Sequence, residues 1–140
     1  MQVKKSKLLM FVLIFLNSLV LTAQNIPEKE ICAAAIEALM DRKSISKYIT
    51  TYSENGNKVH VFASRKNSVD KDACYISGNR VIWRVESAKG ISKGRWRTSN
   101  YDEKVSFKIE GDLIKIIMTF SDNSQSTETY SLKKLSESIK

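Results

Sequence analysis

The sequence predicts an α+β domain in which one N-terminal helix packs on an antiparallel β-meander of about six or seven strands. Three observations lead to this prediction. One Ala-, Glu- and Leu-rich segment has apolar residues at helical spacing, and most of the later chain alternates between apolar and polar residues. Turn dipeptides that contain glycine separate the alternating segments. Two cysteines, an even count, predict one disulfide. The pattern leaves open whether the sheet stays open or curls into a barrel.

The N-terminus has the pattern of a secretory signal peptide. The first seven residues contain three lysines and no acid, an apolar run covers 8–21, and a small residue follows at Ala23. The apolar run is shorter than the ~20 residues that a spanning helix needs, so cleavage is favoured over a permanent anchor. We therefore predict a signal peptide over 1–23, one domain over 24–140, a periplasmic or secreted location, and no stable membrane span after cleavage.

The charge of the chain is compatible with several partners. The formal net charge is +8, and removing the three lysines of the predicted signal peptide leaves +5 for the domain. A basic surface of mixed sign permits an acidic protein, a nucleic acid or an anionic envelope surface as partner, and it requires none of them.

Cys32 and Cys74 are the only cysteines, and thiols of exported proteins are usually oxidised. Their disulfide would close a loop of about 40 residues and stabilise the fold by about 3–4 kcal/mol. A redox pair or an intermolecular bridge is the alternative, but the chain has no Cys-x-x-Cys motif. We predict a structural disulfide.

The predicted helix covers 28–40. Pro27 suits its first turn, and Glu28 and Glu30 place negative charge near its positive end. The charged residues at 41–43 are expected to end it. The apolar stripe expected to face the sheet consists of Ile31, Ala34, Ala35, Ala38 and Leu39.

The predicted strands follow one another in sequential hairpins. They cover 45–53, 58–64, 73–77, 80–87, a short strand that starts with 95–97, the two arms of a hairpin over 104–120, and 126–132. The polar run at 65–72 is predicted as a surface connection, 88–94 as a loop bracketed by Gly90 and Gly94, and the end of the chain as a polar tail.

Two-residue turns set the register of three hairpins. The turn dipeptides are Asn55-Gly56, Gly78-Asn79 and Gly111-Asp112, and a further turn is expected near Asp122-Asn123. The first turn pairs Tyr52 with Val59 and Thr51 with His60. The second places Cys74 opposite Trp83. The third pairs six apolar residues on one face, namely Val105 with Met118, Phe107 with Ile116, and Ile109 with Ile114.

Three motifs resemble a set of small exported bacterial proteins of unassigned function. They are Cys32-Ala-Ala-Ala-Ile on the helix, Cys74-x-x-x-Gly78-Asn79-Arg80-Val81-Ile82-Trp83, and Gly94-Arg95-Trp96-Arg97. The resemblance supports the disulfide and the helix-plus-sheet fold, and it implies no activity.

Two groups of side chains are candidate binding sites. Arg95, Trp96 and Arg97, together with Arg84, have the composition of interface anchors and of stacking platforms for bases or sugars. Alternatively, these residues have no binding role and form a half-buried strand, in which Trp96 points into the core and the two neighbouring arginines point into solvent. The second group is a lysine face that consists of Lys104, Lys108 and Lys115. It either faces an anionic partner or splays into solvent.

His60 is the only histidine and the only catalytic candidate. A hydrolase or nuclease would need a nucleophile or an acid beside it, and the chain has no Gly-x-Ser-x-Gly motif. The alternative is a half-exposed strand histidine without a catalytic role.

The sequence shows no metal-binding motif. The cysteines and the histidine lack zinc spacing, and the acidic segments at 70–72 and 121–123 fit turns. We expect no metal and no cofactor.

These observations favour a non-catalytic exported binding module, of the inhibitor, immunity, exclusion or envelope-assembly type, that acts through a protein partner. Two alternatives stay open. One is a small hydrolase or nuclease that uses His60, and the other is a binder of nucleic acid or anionic glycan through a basic face.

Overall fold

A computed structural model describes residues 25–40, 48–52, 58–65, 68–87 and 93–139. The elements in these ranges are α1 Glu28–Met40, β1 Tyr48–Tyr52, β2 Val59–Arg65, β3 Ser68–Ser77, β4 Arg80–Ser87, β5 Lys104–Glu110, β6 Leu113–Thr119, β7 Gln125–Ser131 and α2 Leu132–Ser138. The predicted signal peptide over 1–23, the predicted helix end at 41–43, the turn at Asn55-Gly56 and Gly90 lie outside the described residues.

The seven strands form one antiparallel sheet whose order in space is their order along the chain. β1 and β7 are therefore its two edges, and the barrel that the sequence left open does not form. The predicted fold class is confirmed, with an N-terminal helix, an antiparallel meander and one disulfide. We call the side of the sheet that packs on α1 the inner face and the opposite side the outer face.

Helix α1 fills the inner face. It begins directly after Pro27, whose carbonyl accepts a hydrogen bond from Ile31 N–H at 3.0 Å. All six residues of Ile31–Ile36 are buried with 0% exposure. α1 contacts β1, β2, β3, β4 and β6, and also α2. Neighbouring strands lie ~4.8 Å apart and a helix is about 10 Å wide, so the sheet must curl around α1 to make these contacts.

The Cys32–Cys74 disulfide joins α1 to β3 across the inner face, with 6.1 Å between the two Cα atoms. Both cysteines are buried in the main core, where Cys74 lies opposite Trp83 of β4. The predicted intramolecular disulfide is confirmed.

The predicted registers of the three hairpins are confirmed. Gly78 and Gly111 have φ angles of +62° and +60°, and the first central residue of a type II′ turn needs such a left-handed conformation. A turn also forms near Asp122-Asn123 as predicted, and Asn123 has a φ of +64°. The turn residues and the alternation of side chains therefore indicate the same register along the meander.

The segment predicted as a surface connection between β2 and β3 belongs largely to β3. This strand begins at Ser68 and pairs with β2 from Arg65 onward, so the prediction for 65–72 is wrong. Asp70 and Asp72 occupy inward positions and are 5% and 1% exposed. The alternation rule failed here because carboxylates stand where apolar side chains are expected.

The chain after β7 forms helix α2 and not the predicted polar tail. Ser131 is the N-cap of this helix. The carboxylate of Asp112, in the turn between β5 and β6, accepts hydrogen bonds from the Ser131 hydroxyl at 2.7 Å and from Lys133 N–H at 3.0 Å. The Asp112 carbonyl accepts the Leu132 N–H at 2.7 Å. Because so short a helix has little stability of its own, these bonds and the burial of Leu135 account for it. Neither described helix has the length and apolar character needed to cross a membrane.

We expect removal of the disulfide to destabilise the fold. The Cys32→Ala/Cys74→Ala variant frees a loop with a sequence separation of 42 in the unfolded chain. Its free energy of unfolding should fall by about 3–4 kcal/mol. Urea unfolding of the oxidised protein and of the variant measures the difference. As a control, a thiol reductant should destabilise the wild-type protein and leave the variant unchanged. An equal unfolding midpoint for the two oxidised proteins would contradict the prediction.

Candidate functional site

The segment 93–103 runs along a part of β4 that β5 leaves uncovered. β4 and β5 share only two residue pairs before they separate. Beyond them, Gly94 N–H donates to the Val85 carbonyl at 2.8 Å. Arg97 N–H donates to the Trp83 carbonyl at 3.0 Å. The short strand predicted to start with Arg95 is therefore wrong, because the segment is a loop with two hydrogen bonds to β4.

Trp96 lies on the outer face, at the centre of an aromatic and basic cluster. Its ring meets the Tyr75 ring edge-on, with 5.0 Å between the centroids and 73° between the planes. The Arg84 guanidinium lies 4.2 Å from the Trp96 ring centre, and the Lys58 ammonium lies 5.1 Å from it. We call these four residues the Trp96 cluster. Trp96 does not belong to the main core, so the alternative that placed it there is wrong.

Glu86 holds the Arg84 guanidinium in place. Nε and Nη2 of Arg84 donate to one Glu86 oxygen at 2.9 and 2.6 Å, and the Lys93 ammonium lies 3.6 Å from the other oxygen. Burial alone would raise the pKa of Glu86, but the hydrogen bonds and the charge of Arg84 outweigh it and keep the pKa below its ordinary value. The ionised carboxylate therefore fixes Arg84 over the Trp96 ring.

His60 lies on the outer face, at the register position that the sequence predicted. Burial lowers the pKa of His60, and the positive charge of Lys71 lowers it further. Two other cations, Lys58 and Arg84, act in the same direction, whereas Glu86 opposes them. His60 therefore lies in a predominantly positive field, and a catalytic role for it stays a prediction.

The other two arginines of the predicted site share one carboxylate. Arg95 donates to both oxygens of Asp102 at 2.7 Å, and Arg97 lies 3.5 Å from one of them. The hydrogen bonds from Arg95 hold the pKa of Asp102 well below its usual range. The Arg97 guanidinium also lies 5.3 Å from the ring centre of Trp83, whose side chain is on the inner face. The loop thus sends Trp96 to the outer face and Arg97 to the edge of the inner face.

The predicted lysine face lies on β5 and β6. Lys108 and Lys115 are directly opposite each other, as predicted, and Lys104 is exposed beside them. The Glu110 carboxylate lies 3.1 Å from the Lys115 ammonium and 3.3 Å from that of Lys108. Hydrogen bonds from Lys115 and then Lys108 lower the pKa of Glu110. A bridging carboxylate explains how the sheet tolerates two like charges at opposing positions.

The outer face of the sheet is strongly basic. Strand alternation and the observed registers place six basic and two acidic side chains of the described strands on it. The basic residues are Lys71, Arg80, Arg84, Lys104, Lys108 and Lys115, and the acidic ones are Glu86 and Glu110. We call this surface, together with the Trp96 cluster, the basic outer face.

Sequence reasoning missed Lys58, Tyr75, Glu86 and Asp102 as members of the site. The register of the second hairpin did contain a signal for Tyr75 and Glu86, because it places both on the same face as Arg84. Asp102 gave no signal, because its contact with Arg95 depends on the path of a loop.

No group of three or more His, Cys, Asp or Glu side chains in the described part of the chain is placed to hold a metal ion.

The chain matches no protein-family model, and neither the curated proteins nor the solved structures give a match. The resemblance to small exported bacterial proteins therefore stays a prediction.

We expect the Arg95–Asp102 pair to make stability depend on pH. The pKa of Asp102 is lower in the folded protein than in the unfolded chain, so its ionised form stabilises the fold above about pH 4 and this contribution is lost as the pH falls further. Asp102→Asn should therefore lower the melting temperature at neutral pH, and the difference from wild type should persist down to about pH 4 and shrink between about pH 4 and pH 2.

Thermal unfolding followed by circular dichroism measures this effect. Glu137→Gln removes an exposed carboxylate of α2 and serves as the control, with the same melting temperature as wild type at each pH. A difference between Asp102→Asn and wild type that is equal at both ends of the pH range would refute the prediction.

Proposed function

We propose that this protein is an exported, non-catalytic binding module that holds an acidic protein partner on its basic outer face. The observation that carries the proposal is the position of the Trp96 cluster on the same surface as the six basic strand residues. The disulfide suits an oxidising compartment, in agreement with the predicted export.

The charge pattern favours an acidic partner that is itself folded. Complementary potentials steer two proteins together and set their register. The basic outer face also contains two fixed carboxylates, Glu86 beside Arg84 and Glu110 beside Lys115. A uniform polyanion would be repelled at both points, whereas a folded protein can place neutral or basic groups there and acidic groups elsewhere.

The Trp96 cluster favours a protein over a nucleic acid. Trp, Tyr and Arg side chains carry most of the binding energy in many protein interfaces, and the cluster contains one of each. Stacking of a base needs an open aromatic face. The cations of Arg84 and Lys58 already lie over the Trp96 ring. The ring is therefore better placed for side-on packing against a partner than for stacking.

Two competing functions would use the same face differently. Binding of nucleic acid or anionic glycan would depend on the lysines and show a steep dependence on salt. Hydrolysis would depend on His60, whose imidazole lies on the same face. Substitution of the lysines, of Trp96 or of His60 distinguishes polyanion binding and hydrolysis from protein binding.

Charge reversal on the basic outer face tests the proposal. The oxidised protein serves as bait for envelope and secreted fractions over a series of salt concentrations. Lys104→Glu/Lys108→Glu should weaken the binding of the captured protein by about tenfold or more at low salt, and less at high salt because the charges are screened. Trp96→Ala should speed dissociation by about thirtyfold, the effect of removing an interface anchor.

Lys134→Glu on α2 is the control. It reverses one lysine charge away from the outer face, half of the charge change in the double variant, and Ser131-x-x-Glu would form a capping box that favours the helix. A stoichiometric protein partner lost with the first two variants and retained with the control supports the proposal. Recovery of nucleic acid or glycan alone, insensitive to Trp96→Ala, would replace the protein partner with a polyanion. A hydrolytic activity abolished by His60→Ala at an unchanged melting temperature would instead establish an enzyme.

A further inference from the structure

A cleft of about 520 Å³ lies on the inner side of the sheet, at the C-terminal end of α1. It is separate from the basic outer face, because β4, β6 and β7 line it with inner-face residues. Its volume falls within the range of sites for small ligands, about 300–1,000 Å³.

One wall of the cleft is apolar, and the rest of its lining is polar or charged. Leu39 comes from α1, Trp83 from β4 and Met118 from β6, and Phe120 directly follows β6. Trp83 and Met118 are each 5% exposed, whereas Phe120 at the rim is 42% exposed. A ligand in the cleft would therefore bury an apolar body against thioether and aromatic surfaces.

Two carboxylates, Glu103 and Glu128, also line the cleft, and both are partly buried. Neither has an ion pair within the described residues, although Glu103 adds to the field at Arg95. The one basic residue in the lining is Arg97, which lies near the carboxylate of Asp102. The lining therefore carries an excess of negative charge.

From this combination we propose that the cleft binds an organic ammonium group attached to an apolar body. The ammonium group would lie between the carboxylates, and the apolar body would pack on the Trp83, Met118 and Phe120 walls. Partly desolvated carboxylates favour a cation, and Arg97 offsets only one of the two negative charges in the lining. A free amine and the lysine side chain of a peptide have this chemistry in common.

Titration with hexylammonium, hexanol and hexanoate, followed by NMR of the oxidised protein, tests the proposal. Probes of about seven or eight non-hydrogen atoms bind at about millimolar concentration. We expect hexylammonium to shift the methyl signals of Leu39 and Met118 saturably. Hexanol should bind about tenfold more weakly, and hexanoate should not bind. N-acetyl-Phe-Lys-amide in the same titration distinguishes the sources, because tighter binding than hexylammonium assigns the site to a peptide lysine and weaker binding to a free amine.

Two variants show whether the carboxylates of Glu103 and Glu128 bind the ammonium group. Glu103→Gln/Glu128→Gln keeps the shape of the cleft and should weaken hexylammonium binding by about tenfold without changing hexanol binding. Glu137→Gln on α2 is the control and should bind like wild type. The proposal is overturned if hexylammonium gives no saturable shift, if hexanoate binds as tightly as hexylammonium, or if the double variant binds both probes like wild type.

Discussion

The burial of α1 is the constraint from which the rest of the fold follows. Every residue of Ile31–Ile36 is shielded from solvent, and a helix that is apolar around its whole circumference needs cover on more than one side. One sheet can provide that cover only by curling, and the alanines on α1 let the strands approach closely. The Cys32–Cys74 link then holds the helix to β3 at the centre of the curl. An inner face devoted to α1 leaves the six basic residues of the basic outer face to concentrate on the other side of the sheet.

The separation of β4 from β5 lets one loop serve both sides of the sheet. Because the two strands share only two residue pairs, backbone groups of β4 accept hydrogen bonds from the 93–103 segment instead. Successive residues of that segment reach opposite surfaces, with Trp96 on the outer face and Arg97 at the inner cleft. The Arg95–Asp102 pair closes the loop on itself and fixes both side chains relative to β4. Two surfaces of opposite charge thus depend on a single short segment.

The hairpins could be predicted because the turn residues and the alternation gave the same register independently, as at Phe107–Ile116. β3 was predicted too short because Asp70 and Asp72 point inward, against the usual pattern. Helix α2 was missed because bonds to Asp112, distant in sequence, support it. Residue types alone identified some members of the candidate site, such as Trp96, but not Tyr75 or Asp102. Their grouping could not be foreseen, because it depends on a loop whose path no periodicity describes.

The bonds between Asp112 and the start of α2 set an order of events during folding. The carboxylate and carbonyl of Asp112 reach the N-terminus of α2 only when the turn between β5 and β6 already exists and β7 has paired with β6. A helix of this length does not persist in isolation, so it forms after that three-stranded unit and not before it. The C-terminal segment accordingly becomes ordered after β5, β6 and β7, and its amide protons report the completion of that unit.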